Sequence, residues 1–357
     1  MKKILYIVAT QYENMGDLLI NKCLVDELAK YGKVYLDTKN VPQTFKSVLL
    51  EHPNSTELSE VSNISLKGKG LFLSLFSSRF KFDYVFKSPG PFGGSVTLNE
   101  KVRAFLFYII FFIMKLKGAK SVLIGNDFIL ASKFDESIAK LYSGVLQGIY
   151  VRSKKNVNIL KELGVSNVDY SPDMCFMMDV EIKDVERNRV GISFRDMGDG
   201  PNQKIKESVK RFVQYFTEKQ IDIDYFYQVE RDKDFNQQLF FEFKTPFTHF
   251  RENVLKWEDR SYYQDKIFLL SNRLHVLLLG QAFECIPIAL EFNQLKTLKI
   301  RNIFYSIGMQ EQIYDEISKE HLDILYDDID KSRFKFRQVN HDQKVIFNRR
   351  LVSIFEK

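Results

Sequence analysis

At 357 residues the chain is too long for one small domain and comfortable for two, with enough length to bury two sizeable cores. Apolar residues at 45% and charged residues at 27% exclude a mainly disordered protein. The net charge of +6 favours anionic partners without naming one, and a mildly basic solvated surface needs no partner; with no dense Arg/Lys arm and no zinc-knuckle spacing, nucleic acid is not expected.

Strand and helix patterns alternate along the chain, with no internal repeat, which implies parallel sheets with crossover helices. Lys3–Thr10 reads as a strand, since its apolar run is too short for a leader segment. A helix over Asp17–Tyr31 stops at Gly32, and Lys33–Asp37 is the next strand. A looser polar region runs through Ser65, and Phe82–Lys87 is a strand ending at a Pro/Gly-rich turn. A long helix covers Leu98–Leu116, followed by a strand at Ser121–Gly125, a helix at Asp135–Ser143, a strand at Gly148–Val151 and a helix at Ser153–Leu163.

Asp179–Asn188, charged and aperiodic, is the expected linker between an N-terminal Rossmann-like domain (1–180) and a C-terminal one (189–340). The second half begins with a strand at Arg189–Phe194, a helix at Ile205–Glu218 and a strand at Ile221–Gln228. Lys266–Leu270 is a strand, Leu274–Phe283 a helix, Ile286–Phe292 a strand and Leu322–Tyr326 a last strand. A C-terminal helix, within 341–357, has apolar residues at Val345, Ile346, Leu351 and Ile354. Two α/β domains imply a cleft, and ligands of open α/β sheets bind beyond the carboxyl ends of the strands.

Ala104–Met114 is an unbroken apolar run with Lys101 and Arg103 before it and Lys115 and Lys117 after it. It is about half the ~20 residues that cross a bilayer. It reads as a helix buried against a sheet or as one touching a membrane face, with Gly70–Phe82 adding to that surface. Cys23, Cys175 and Cys285 are far apart and form no CxxC pair, so they read as buried, reduced thiols. None of the five histidines has metal-ligand spacing, and no GxSxG elbow is present.

Four strand-end loops could carry chemistry. Gln11–Asp17 enters a helix, with Gly16 open to backbone approach and Asp17 near the N-cap; it also reads as a plain turn with an N-cap aspartate. Ser88–Ser95 is rich in Gly and Pro but lacks the P-loop Lys-Ser/Thr ending, and a structural turn is its plainer reading. Leu270-Ser271-Asn272-Arg273-Leu274-His275 joins a buried strand to an apolar helix. Cations in a first helical turn oppose the helix dipole, and they make sense there if an anion binds. Arg195, after the first strand of the second half, suggests a second arginine for the same anion.

At these residues the chain resembles the polysaccharide pyruvyl transferase family, over about residues 3–300. Asn14-Met15-Gly16-Asp17 is similar to its GNxGD loop, with Glu13 in place of the first glycine. Ser88–Gly94 falls at its glycine-rich loop. Arg152-Ser153 with Ser171-Pro172-Asp173 is similar to its mid-chain signature, and Ser271–His275 with Pro287 and Lys296 to its S-x-R-L-H block. The resemblance implies two Rossmann-like domains facing a cleft, as in GT-B glycosyltransferases. It implies a phosphoenolpyruvate-dependent, ketal-forming pyruvyl transfer to a sugar of a bacterial capsule or other surface polysaccharide.

On this reading phosphoenolpyruvate is a co-substrate held by Arg195, Ser271, Asn272, Arg273 and His275, with no metal and no cofactor. His275 and Asp17 are the candidate proton-transfer residues, His275 serving alternatively as a phosphate ligand only. The acceptor side comprises Asn14, Gly16, Asp17, Gly93, Gly94, Arg152 and Asp173. The acceptor is expected to be linked to a polyprenyl diphosphate, with the protein cytoplasmic and at the inner face of the membrane. Two alternatives stay open: a nucleotide-sugar glycosyltransferase, with Glu291 available for a ribose, and a non-catalytic carbohydrate-binding protein of an assembly complex.

Overall fold

Strands, most of them followed by a helix, build two parallel sheets in a computed structural model that describes residues 1–61, 81–183, 185–292 and 298–356. Each sheet anchors one of two compact units. The first comprises Met1–Tyr12, Asp17–Met177 and Val345–Lys357; the second comprises Glu13–Gly16 and Met178–Lys344.

In the first unit the strands are β1 (Lys2–Ile7), β2 (Gly32–Asp37), β3 (Ser55–Glu57), β4 (Tyr84–Lys87), β5 (Gly90–Gly93), β6 (Lys120–Ile129), β7 (Gly148–Val151) and β8 (Val168–Tyr170). Their order is β3-β2-β1-β4-β6-β7-β8, with β5 beside β6. The helices are α1 (Met15–Ala29), whose first two residues belong to the second unit, α2 (Gln43–Leu49), α3 (Leu58–Val61), α4 (Leu98–Leu116), α5 (Lys133–Val145) and α6 (Lys154–Glu162). Leu5, Val85, Leu123 and Ile149 of the sheet pack with Phe111 and Met114 of α4 and Tyr142 of α5.

Local chemistry sets the boundaries. Gly32 opens β2 because an added Cβ would fall 2.3 Å from the Lys2 carbonyl oxygen on β1. A reciprocal capping box of Thr97 and Glu100 starts α4 at Leu98, as the sequence predicts. Gly125, at φ +73°, makes the irregularity that lets β6 run on to Ile129, beyond the expected Ser121–Gly125.

The second unit contains β9 (Arg189–Ser193), β10 (Asp222–Tyr225), β11 (Thr248–Phe250), β12 (Lys266–Ser271), β13 (Ile286–Leu290) and β14 (Ile313–Tyr314), in the order β11-β10-β9-β12-β13-β14. This is the doubly wound order, which reverses between β9 and β12 and opens a crevice at their carboxyl ends. Its helices are α7 (Asp199–Glu218), α8 (Lys233–Glu242), α9 (Leu274–Ala282), α10 (Lys299–Ile307), α11 (Lys319–Asp327) and the start of α12 (Ile329–Phe355). Gly280 lets α9 lie close on β12, since a Cβ there would meet Leu269 at 1.8 Å.

Other expectations also need correction. The polar region after Asp37 contains α2, β3 and α3. Part of the Ser88–Ser95 turn is strand β5, paired with β6. Leu322–Tyr326 is helical, within α11, because Ser318 and His321 form a capping box and Leu322 and Leu325 are buried one turn apart. The C-terminal helix starts at Ile329. Most of Gly70–Phe82 lies outside the described residues, as does Lys296. Among the described residues, no helix is long and apolar enough to cross a membrane.

Candidate active site

The crevice at the strand-order reversal of the second unit is built from three strand-end loops. After β12, the Ser271 hydroxyl donates to the Ser193 carbonyl (2.5 Å) and accepts the Arg273 N–H (2.9 Å), so the two central strands fix where the chain turns into α9. Asn272 donates to the Arg195 carbonyl (2.9 Å) and accepts the Arg195 N–H (2.7 Å), pinning the loop after β9 to the loop after β12. From α8, Asn236 exchanges hydrogen bonds of 2.7 and 2.8 Å with the backbone of Phe194. The segment after β10 supplies Asp232, the N-cap residue of α8.

Arg273 is itself the N-cap residue of α9, one step earlier than the first turn the sequence suggests. Its guanidinium donates through Nη2 to Asp232, while its buried Nε has no hydrogen-bond partner among the described residues. Burial lowers the pKa of Arg273, Asp232 opposes that, and the like charges of Arg195 and Arg231 add to it. Burial pushes the Asp232 carboxyl up, against the pull of Arg273, Arg231 and Arg195. Arg273 is thus paired with Asp232 in a partly dry place, and the charges of Arg195 and Arg231 act on the same pair. A small dianion with a planar carboxylate would suit it.

Arg195, Asn272, Arg273 and His275 line this crevice together with Asn14, Gln228, Glu291 and Lys299, around a volume of about 170 Å³. That is below the ~300–1,000 Å³ usual for drug-sized ligands. Gly16 approaches so closely that a Cβ there would lie 2.1 Å from Nδ1 of His275. The GNxGD-like turn and the RLH block, 259 residues apart by their numbering, therefore meet at Gly16 and His275. Glu291 is committed locally: its two carboxylate oxygens accept the N–H groups of Ile300 (2.8 Å) and Arg301 (2.6 Å), capping α10.

The other candidates lie in the first unit. Asp17 is buried in the first turn of α1, its carbonyl accepting from Asn21 (2.7 Å). Arg152 is buried and donates to Asp127 (2.6 Å) and Asp173 (2.8 Å). Burial would lower its pKa, but the two carboxylates raise it above the usual arginine value. Arg152 and Asp173 therefore tie together the ends of β6, β7 and β8. Gly93, at φ +87°, ends β5, and Gly94, at φ +70°, follows it with its N–H bonded to the Ile129 carbonyl (2.7 Å).

Sequence reasoning passed over Asp232, Arg231 and Asn236. For Asp232 and Arg231 the signal is a charged cluster, Glu230-Arg231-Asp232-Lys233, between β10 and the first residue of α8.

A family model described as polysaccharide pyruvyl transferase matches residues 14–294. No curated protein sequence matches the chain. Among solved structures, Anabaena HepE in complex with UDP-glucose is similar at a TM-score of 0.60 and 11% identity, over 100% of this chain and 98% of that one. UDP-N-acetylglucosamine 2-epimerase from Rickettsia bellii is similar at a TM-score of 0.54 and 13% identity, over 99% and 97%. S. aureus MnaA with UDP is similar at 0.52 and 13%, over 95% and 91%. At these identities the likeness is one of fold: two parallel α/β sheets of the GT-B-like kind.

Proposed function

The chain belongs to the polysaccharide pyruvyl transferase family, and from that premise we propose that it moves the enolpyruvyl unit of phosphoenolpyruvate onto a sugar of a bacterial surface polysaccharide, forming a pyruvate ketal. The observation that carries the reading is Arg273: a largely buried guanidinium at a helix N-terminus, held by Asp232 and flanked by Arg195 and Arg231. Phosphoenolpyruvate carries a carboxylate and a phosphate on one carbon, so it matches a site with several fixed positive charges and a small volume. The reading needs no metal and no cofactor, because the arginines supply the positive charge.

In the proposed reaction, an acid protonates the methylene carbon of phosphoenolpyruvate and leaves an oxocarbenium-like centre. A sugar hydroxyl attacks that centre and loses its proton to a base. The C–O bond to phosphate then breaks, and a second hydroxyl closes the ketal. Of the two hydroxyl protons, one balances the proton added to the methyl carbon and the other leaves with phosphate. His275 is assigned a proton-transfer role at the donor, and Asp17, with Asn14 and Gly16 in the same turn, the acceptor. The acceptor in this reading is a sugar on a polyprenyl diphosphate at the inner face of the membrane. The capping role of Glu291 weighs against the nucleotide-sugar alternative, since that carboxylate is already occupied.

The test is thermal stability with and without phosphoenolpyruvate, in wild type and in Arg273→Lys, which keeps a charge beside Asp232. Ligand at 100 times its Kd adds about 2.7 kcal/mol. A melting shift in wild type that is largely lost in the variant supports the reading. A shift from a nucleoside diphosphate with none from phosphoenolpyruvate overturns it.

A further inference from the structure

Helix α4 has apolar residues on two sides. Ile110, Phe111 and Met114 face the core of the first unit. Leu98, Val102, Phe105, Ile109, Phe112 and Leu116 are spaced 4-3-4-3-4, which places them on one stripe along the helix. Five of these six are exposed, from 41% for Phe112 to 75% for Leu98. Ile109 is partly buried between them. A stripe of this length, about 27 Å at 1.5 Å per residue, is more than the scattered apolar exposure of a soluble surface.

The charges around the stripe are one-sided. Lys101, Arg103, Lys115 and Lys117 are basic, with Arg103 turned away from the stripe and Lys115 donating to the Gly144 carbonyl (2.7 Å), and the one acid of the helix, Glu100, is committed to the capping box with Thr97. At 100° per residue Glu100 projects to the side opposite the stripe, while Lys101 and Lys117 flank it. A second copy of this helix would bring like charges together along the seam. An anionic surface would not, and lysine stems can lie along an apolar face while their ammonium groups reach outward. The helix cannot cross a bilayer, because its other side is packed in the core.

We propose that the Leu98–Leu116 stripe lies on the surface of an anionic membrane, with Phe105, Phe112 and the leucines entering the acyl boundary and Lys101 and Lys117 at the headgroups. The surface belongs to the first unit, and lipid association is read without phosphoenolpyruvate, so its failure and that of the pyruvyl transfer reading are separable.

The experiment is co-sedimentation of the full chain with phosphatidylcholine vesicles, with and without phosphatidylglycerol. Wild type is expected to pellet with the anionic vesicles, less so at high salt. Phe105→Gln/Leu116→Gln should weaken binding by about tenfold or more without lowering the melting temperature. Leu98→Gln, at the most exposed position of the stripe, gives a smaller loss in the same direction and guards against misfolding of the double variant. Wild type that stays in the supernatant, or variants that pellet as well as wild type, overturn the proposal. So does a wild-type dimer, lost in the variants, that binds no vesicles: it would assign the stripe to a second copy.

Discussion

Gly16 leaves no room for a side chain, because a Cβ there would sit 2.1 Å from the His275 ring. Gly16→Ala must displace the imidazole or the turn, at an overpacking cost of ~1–3 kcal/mol. On the proposed reaction, activity should fall further than stability does; chemical denaturation and steady-state rates on one preparation would show it. An alanine variant with wild-type stability and rate would mean that His275 is not held where the structure places it. Arg273 and His275 were legible in the sequence, because cations at a helix start are locally unfavourable and call for a reason. Asp232 was not. Its role rests on the side-by-side placement of loops after β10, β9 and β12, and it is 41 residues from Arg273 along the chain.

Where β4 meets α4, burial has a pH signature. Lys87, the last residue of β4, is buried with its ammonium 5.2 Å from the Phe92 ring and 5.3 Å from the Phe107 ring. Burial, and secondly Arg103, lower its pKa from 10.5 to about 8. Below pH 8 the folded chain carries a buried charge that the unfolded chain hydrates freely. Between pH 8 and 10.5 the unfolded chain holds a proton that the folded chain has released, so stability rises with pH across that window. The aromatic contacts offset part of the cost. Lys87→Met should therefore stabilise the first unit by roughly 1–3 kcal/mol at pH 7, with the gain fading toward pH 10.5. Urea melts at pH 7 and pH 10 would check it, and an equal gain at both would remove the lysine's charge as the cause. Element boundaries were legible where chemistry is local, as at the Thr97 capping box. They failed at α11, where Leu322, Ile324 and Tyr326 alternate like a strand although the Ser318 cap makes a helix.

Over the whole chain, the last residues complete the unit that the first residues begin. Phe347, Leu351 and Ile354 are buried, and the Phe355 ring stacks on Tyr31 at 4.4 Å and meets Tyr84 at 4.6 Å. Phe355→Ala should cost the first unit about 3–5 kcal/mol, visible as a lowered midpoint in far-UV circular dichroism. An unchanged midpoint would show that the C-terminal contact contributes nothing. The sequence by itself determined the strand–helix alternation, and with it parallel sheets and strand-end loops, because hydrophobic period, glycines and caps act within a few residues. It also carried the family and the two motif residues Arg273 and His275. Only the tertiary structure decided that Asp232 would hold Arg273, that Gly16 would lie against His275, and that Arg152 would be buried between Asp127 and Asp173. Those facts depend on which strands are neighbours, and strand order is set by long-range hydrogen bonding and packing that local sequence rules do not contain.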